Sequence, residues 1–249
     1  MPADADRTLP PEAVRLVVIV PTWRDDGELT ELLLCLGRLD APPEHVIVVD
    51  GAASELTAGV CRRGHARWLP CTPGRGVQLS AGVLLAQEIL GENAARPLDA
   101  FWFVHTDCRP HRRAACAIRE VVACGAAGGY FRFRFDGSPG SLKTLLERCI
   151  ALRCRIGMVY GDQAIFVTRA AYEASPGIDR QPLFEEVPLV RHLKRTGRFA
   201  ALKLPITVSP RRWERDGFLY RTLQNRSLAL GYSLGIPPSR LARWYHSAP

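Results

Sequence analysis

Phe101-Trp102-Phe103-Val104-His105-Thr106-Asp107 is the stretch that decides what kind of fold this chain adopts. Four consecutive apolar residues have the length of a buried strand, and the run stops abruptly on a histidine and a carboxylate. In open α/β sheets, ligands bind in the crevice beyond the carboxyl ends of the parallel strands, so Asp107 at such an end offers an oxygen ligand. Asp is also a favoured cap and turn residue, so a second reading has Asp107 capping the helix expected after Pro110.

Upstream of this stretch, strand and helix patterns alternate. Val14 to Val20 is a near-continuous β-branched run ending at Pro21, as expected of a strand buried on both faces. Leu29, Leu32, Leu33 and Leu36 then recur at helical spacing from Glu28 to Leu39, and Pro42-Pro43 marks the stop. His45 to Asp50 is a second buried strand ending on a carboxylate, followed by Gly51. A helix is expected near Ser54 to Arg63 and a short strand over Ala66 to Leu69, which leads into Thr72-Pro73-Gly74-Arg75-Gly76. Two glycines flanking an arginine let backbone approach a ligand and present the guanidinium to it, with the N-terminal end of a helix from Val77 to Leu90 behind them. A plain glycine-rich turn fits the same residues. Gly91 to Asp99 reads as a linker back to the strand at Phe101.

The alternation predicts an α/β fold with a doubly wound, mostly parallel sheet, helices on both faces and right-handed crossovers. The first strand is not followed by G-x-G-x-x-G, and no P-loop signature occurs, so dehydrogenase and ATPase chemistry lose their main support.

The second half has a different texture. Tyr130 to Phe135 alternates aromatic and arginine, as expected of a half-exposed strand. Helical spacing covers Leu142 to Ile156, and Gly161-Asp162-Gln163 precedes a strand at Ala164 to Val167. Glu185 and Glu186 stand ahead of a basic helix, Pro188 to Lys194, where they either complement the helix dipole or supply a general base. Phe199 to Val208 is a final strand, and Arg211-Arg212-Trp213 after it is either a phosphate clamp or a solvated turn. Phe218 to Tyr245 has helical spacing with Leu, Tyr, Trp and Arg; a helix closing the core fits this pattern, and so does contact with an acidic membrane surface.

With 249 residues and 47% hydrophobic content the chain can fill one large core, so a single domain over 1–249 is expected. Its formal charge of +8 points to an anionic partner. The basic residues are scattered and show no aromatic-interleaved nucleic-acid motif, so nucleic acid is not the expected partner. Lysine stands only at Lys143, Lys194 and Lys203 among 33 basic residues; the arginine bias favours bidentate carboxylate or phosphate recognition. Eight cysteines without a C-x-x-C pair fit a reducing cytosol. The first twelve residues do not read as a signal peptide, and no apolar run reaches the length of a spanning helix. A cytoplasmic location is expected, or a peripheral one at the inner membrane face.

The order of these motifs resembles the family 2 glycosyltransferases of the GT-A fold, from about Val14 to Arg215. Within that family it is similar to small bacterial transferases encoded beside radical-SAM proteins and linked to arsenosugar synthesis. The resemblance implies a nucleotide-binding half over 14–107, an acceptor and catalytic half over 108–215, and a C-terminal helical segment over 216–249. It assigns Pro21, Thr22 and Arg24 to the first nucleotide-contacting loop, with Asp50 and Gly51 at the base. Arg75 and Gly76 match the phosphate-side loop. His105 and Thr106 lead the D-x-D position, with His105 touching ribose or phosphate, and Asp107 is the sole carboxylate for Mg²⁺ or Mn²⁺. Gly161, Asp162 and Gln163 match the acceptor-side loop, Glu185 and Glu186 the catalytic acid pair, and Arg211, Arg212 and Trp213 a distal phosphate-side element.

The activity so implied is inverting, metal-dependent transfer from a nucleotide-diphosphate sugar to an acceptor hydroxyl not identified by the motifs. Rival readings are a nucleotidyltransferase, which should carry a Gly-rich loop with a Lys after the first strand, and a catalytically silent nucleotide- or partner-binding module.

Overall fold

A computed structural model of the chain describes residues 10–91 and 98–247. Most of the expected linker therefore lies outside the described residues, as does most of the N-terminal segment. Eight strands and ten α-helices follow one another as β1 (Val14–Thr22), α1 (Asp26–Gly37), β2 (His45–Asp50), α2 (Glu55–Arg63), β3 (Arg67–Pro70), α3 (Arg75–Leu90), β4 (Leu98–Phe103), β5 (Cys108–Pro110) and α4 (Ala114–Ala123). Then come β6 (Ala126–Phe135), α5 (Ser141–Arg155), β7 (Phe166–Thr168), α6 (Arg169–Glu173), α7 (Val187–Thr196), β8 (Arg198–Val208), α8 (Arg211–Asp216), α9 (Phe218–Ser233) and α10 (Pro238–Ser247).

The strands form one sheet in the order β3-β2-β1-β4-β7-β6-β8-β5, which runs through both halves of the chain. The β3-β2-β1-β4 half is wholly parallel, β6 pairs parallel with β8, and β7 and β5 pair antiparallel with their neighbours. Because β1 buries both faces, its alternate residues feed two cores. Leu16, Val18 and Val20 pack with the leucine stripe of α1 and with Ile118 and Val122 of α4. Val17 and Ile19 pack with Leu79, Val83 and Ala86 of α3 and Leu189, Val190 and Leu193 of α7. Each of these large aliphatics contributes roughly 1.5–3 kcal/mol relative to an exposed position.

Polar groups within this apolar frame are paired. Arg15 on β1 faces Asp99 on β4 and donates to both carboxylate oxygens, at 2.7 and 2.9 Å. Trp102, wholly buried, donates its indole N–H to the Ala164 carbonyl at 3.2 Å. On β6, Phe131, Phe133 and Phe135 are buried while Arg132 and Arg134 are exposed, the pattern the alternation predicted.

The stretch from Phe101 departs from expectation in one respect. β4 ends at Phe103, and Val104 to Asp107 turn out of the sheet before β5 pairs antiparallel with β8. Asp107 does not cap α4, whose N-cap is Arg113. The chain reverses from the β1-β2-β3 side to β4 at the carboxyl end of β1, the switch point where open α/β sheets bind ligands. Among the described residues no helix is long and apolar enough to cross a membrane.

Candidate active site

The loops at this sheet edge are tied together before any ligand is considered. Asp50, wholly buried at the end of β2, accepts from the amides of Ala52 and Ser54 at 2.9 and 2.7 Å and from the Trp68 indole at 3.3 Å. Its carboxylate therefore builds the turn that contains Gly51. Gln78 of α3, a residue that the sequence did not single out, donates to the carbonyls of Thr22 and Val49 at 2.7 and 2.8 Å and pins β1 to β2. Asp25 accepts from Thr106 at 2.8 Å and from Arg211 at 2.5 Å, linking the loop after β1 to the turn after β4 and to α8. Arg24 adopts a left-handed φ of 52° and lies 5.2 Å over the Trp23 ring. Pro21 closes β1 beside Thr22, whose buried hydroxyl has no hydrogen-bond partner.

The glycine-rich stretch is resolved differently from expectation. α3 begins at Arg75, two residues earlier than the spacing indicated, and Gly74 takes the N-cap with φ 138°. Gly76 does not make room for a ligand: a Cβ there would lie 2.0 Å from the Asp179 carbonyl oxygen. Its lack of a side chain accommodates the 179–180 backbone instead. Arg75 is engaged too, since its guanidinium forks onto both oxygens of Glu185, one contact measuring 3.0 Å.

Glu185 and Glu186 are adjacent in sequence but face different surroundings. Glu185 is 1% exposed and neutralised by Arg75. Glu186 stands at the N-cap of α7 without capping it; one oxygen accepts from the Gly161 amide at 2.8 Å, and the other, Oε2, is buried without a partner. Burial, then the Glu185 charge, pushes Glu186 up to about 7 against the pull of Arg75. Phe184 just before this pair has φ +61° and is held there by stacking on Tyr232 of α9 at 4.6 Å and by Gln181, which donates to its carbonyl.

Around Glu186 lies a cavity of about 170 Å³, lined also by Arg75, His105, Asp107, Asp162 and Arg212. The His105 ring lies on Gly161, where an added Cβ would stand 2.9 Å from its Cε1 and Nε2 atoms. Burial, helped by the Arg75 and Arg212 charges, pushes His105 down to about 3, so the imidazole is neutral. Asp107 is 8% exposed, and its carboxylate has a weak contact with the Cys108 thiol at 4.0 Å. Burial raises its pKa despite Arg212 and Arg211.

A divalent cation is a hard acid that takes six or more oxygens. Among the described residues no cluster of three or more His, Cys, Asp or Glu can hold one. Asp107, a buried carboxylate with only a thiol contact, fits as a single protein ligand, with diphosphate and water oxygens completing the shell.

Not every expected residue reaches the cavity. Gln163 turns inward, accepting from the Tyr160 amide at 2.9 Å, and closes the 3-10 turn Gly161–Gln163. Arg211 and Arg212 are in a helix rather than a solvated turn, and Trp213 packs edge-on against Phe135 at 5.1 Å. Conversely Arg153, Tyr160, Arg221, Asn225 and Tyr245 line the cavity although no motif marked them. The C-terminal helices α9 and α10 thus form one wall of the site.

No family model matches the sequence, and no curated protein matches it. Solved structures do resemble the fold. Glucosyl-3-phosphoglycerate synthase from Mycobacterium tuberculosis, in complex with Mn²⁺, uridine diphosphate and glucosyl-3-phosphoglycerate, is 18% identical; the likeness covers 90% of this chain and 81% of that chain, with a TM-score of 0.57. Residues 1–349 of S. aureus TarS are 18% identical over 79% of this chain and 61% of that chain, with a TM-score of 0.55. Mannosyl-3-phosphoglycerate synthase from Rubrobacter xylanophilus is 14% identical over 89% and 75%, with a TM-score of 0.54. The fold is that of the GT-A glycosyltransferases, with a large, mostly parallel sheet flanked by helices.

Proposed function

We propose that this protein is a glycosyltransferase that moves a sugar from a nucleotide-diphosphate sugar to an acceptor hydroxyl with inversion, aided by Mg²⁺ or Mn²⁺. The observation that carries the proposal is Glu186: a buried carboxylate poised near 7, with one oxygen oriented by the Gly161 amide and the other unpartnered at the cavity that Asp107 also lines. The ideal general base has a pKa near the working pH. Glu186 takes the acceptor hydroxyl's proton through Oε2 as the hydroxyl oxygen attacks the anomeric carbon and the bond to the diphosphate breaks. Glu185, held by Arg75, is a positioning residue whose charge helps keep Glu186 basic.

On the donor side, Thr22, Arg24, Pro21 and the Asp50-Gly51 turn form the rim for base and ribose. Neutral His105 offers a hydrogen bond without competing for a cation, and Arg212 offsets phosphate charge. Asp107 would hold the cation, which when bound stabilises the departing diphosphate as a Lewis acid. The synthases in the comparison bound Mn²⁺, UDP and phosphoglycerate, which supports a nucleotide-sugar donor here. Membership of the radical-SAM-associated, arsenosugar-linked subgroup rests on motif order. Contact of the C-terminal helices with a membrane is part of the same proposal, supported by exposed Leu219, Leu223, Leu230 and Leu234.

Calorimetry with UDP, GDP and their sugars, with and without Mn²⁺, tests the proposal. At least one nucleotide should bind, dependent on Mn²⁺, and Asp107→Ala should abolish that dependence. Binding by none, or binding indifferent to both metal and Asp107, overturns it.

A further inference from the structure

Arg153 is a buried cation whose partners do not account for it. It lies in the last turn of α5, 14% exposed, with its guanidinium 4.3 Å over the Tyr160 ring. Its ion pair with Asp162 spans 3.5 Å, and Nε and one terminal nitrogen are buried without a hydrogen-bond acceptor, as is Asp162 Oδ1 without a donor. Buried guanidinium donors are costly to leave unmade, so they take oxygen from outside the chain.

The position of this group bears on which oxygen that is. Tyr160 and Asp162 flank Gly161, whose amide holds Glu186. On the facing wall Arg221, 11% exposed, is fixed by Gln224 at 3.0 Å, Asp216 at 3.4 Å and the Tyr245 hydroxyl. Two further arginines line the cavity, but Arg75 is matched by Glu185 and Arg212 acts on Asp107 and His105 at the donor side. Arg153 and Arg221 are left over from the donor chemistry, and they stand beside the base.

Resting on the glycosyl-transfer reading, we infer that Arg153 and Arg221 form an acceptor subsite for an anionic substituent, a carboxylate or a phosphate, so that the acceptor is a hydroxy acid or a phosphorylated alcohol. The rigid guanidinium fork suits either anion. Arg153 anchors the substituent from the Glu186 side, and Arg221 and Asn225 close over it from α9.

The test is calorimetry on the full chain with 3-phosphoglycerate, glycerol 3-phosphate, glycerate and glycerol, each with and without UDP and Mn²⁺. The anions should bind and glycerol should not; glycerol 3-phosphate against glycerate separates phosphate from carboxylate. Arg153→Gln and Arg221→Gln should each weaken anion binding about tenfold or more, with Arg153→Lys between, while UDP and Mn²⁺ affinity stays unchanged. Thermal melting checks that the variants fold, and Arg221→Gln decides if Arg153→Gln does not. The inference is overturned if no anion binds, if glycerol binds equally, or if the folded variants keep parental anion affinity. Failure of UDP to bind would count against glycosyl transfer alone, because the arms without UDP still read the anion subsite.

Discussion

Replacing Glu186 with Gln removes a titrating proton while preserving the side chain's shape. In the unfolded chain this carboxyl titrates near its ordinary 4.5; in the folded protein it is pushed up to about 7. Between those values the folded state binds more protons than the unfolded state, so stability falls as pH rises through the window. At about 1.4 kcal/mol per pH unit the gap sets a ceiling of about 3 kcal/mol, lowered by any relaxation of Glu185 and Arg75. Gln carries no such penalty, and its carbonyl still accepts from Gly161. Glu186→Gln should therefore melt above the parent at about pH 8, by several degrees at about 2–4 °C per kcal/mol for a domain of this size. The two should converge near pH 4.5. The same variant should lose about 10²–10⁴-fold in transfer, because an amide takes no proton. Melting curves followed by fluorescence across this pH range, with release of nucleoside diphosphate measured alongside, provide the assay. Parallel pH profiles for parent and variant would refute the elevated pKa, and undiminished transfer would refute the base assignment.

Two further predictions concern the frame around that base. Arg75→Met strands the buried Glu185 carboxylate and should cost about 2–3 kcal/mol in urea unfolding, whereas Arg75→Met with Glu185→Gln should recover most of the loss; equal costs would mean the pair contributes nothing by its charge. Gly76→Ala drives a methyl group into the Asp179 carbonyl and should cost about 2 kcal/mol or more. Gly27→Ala, on α1 with nothing within 4 Å of the added carbon, should be neutral or stabilising by up to about 1 kcal/mol; a reversed order would overturn the packing argument.

The alternating strands and helices, the two-sided burial of β1 and the sheet edge that gathers Thr22, Asp50 and Asp107 were legible in the sequence. Period-2 and period-3.6 patterns report directly which faces are buried, and a carboxylate after an apolar run marks a strand end. Local pattern also brought Glu185 and Glu186 forward as a pair. It could not separate them, because their difference comes from Arg75, 110 positions away, and from the amide of Gly161. The role of Gly76 was hidden for the same reason: what occupies its missing side chain is backbone from 179–180, which no local spacing encodes. Arg153, Arg221 and Tyr245 read as ordinary residues of amphipathic helices, and only tertiary packing turns α5, α9 and α10 toward the cavity. The sequence by itself determined where the sheet ends and which acids stand near that edge. Which acid is neutralised, which is poised to accept a proton, and which arginines remain for a ligand were decided by tertiary structure, because charge pairing and desolvation depend on distance in space.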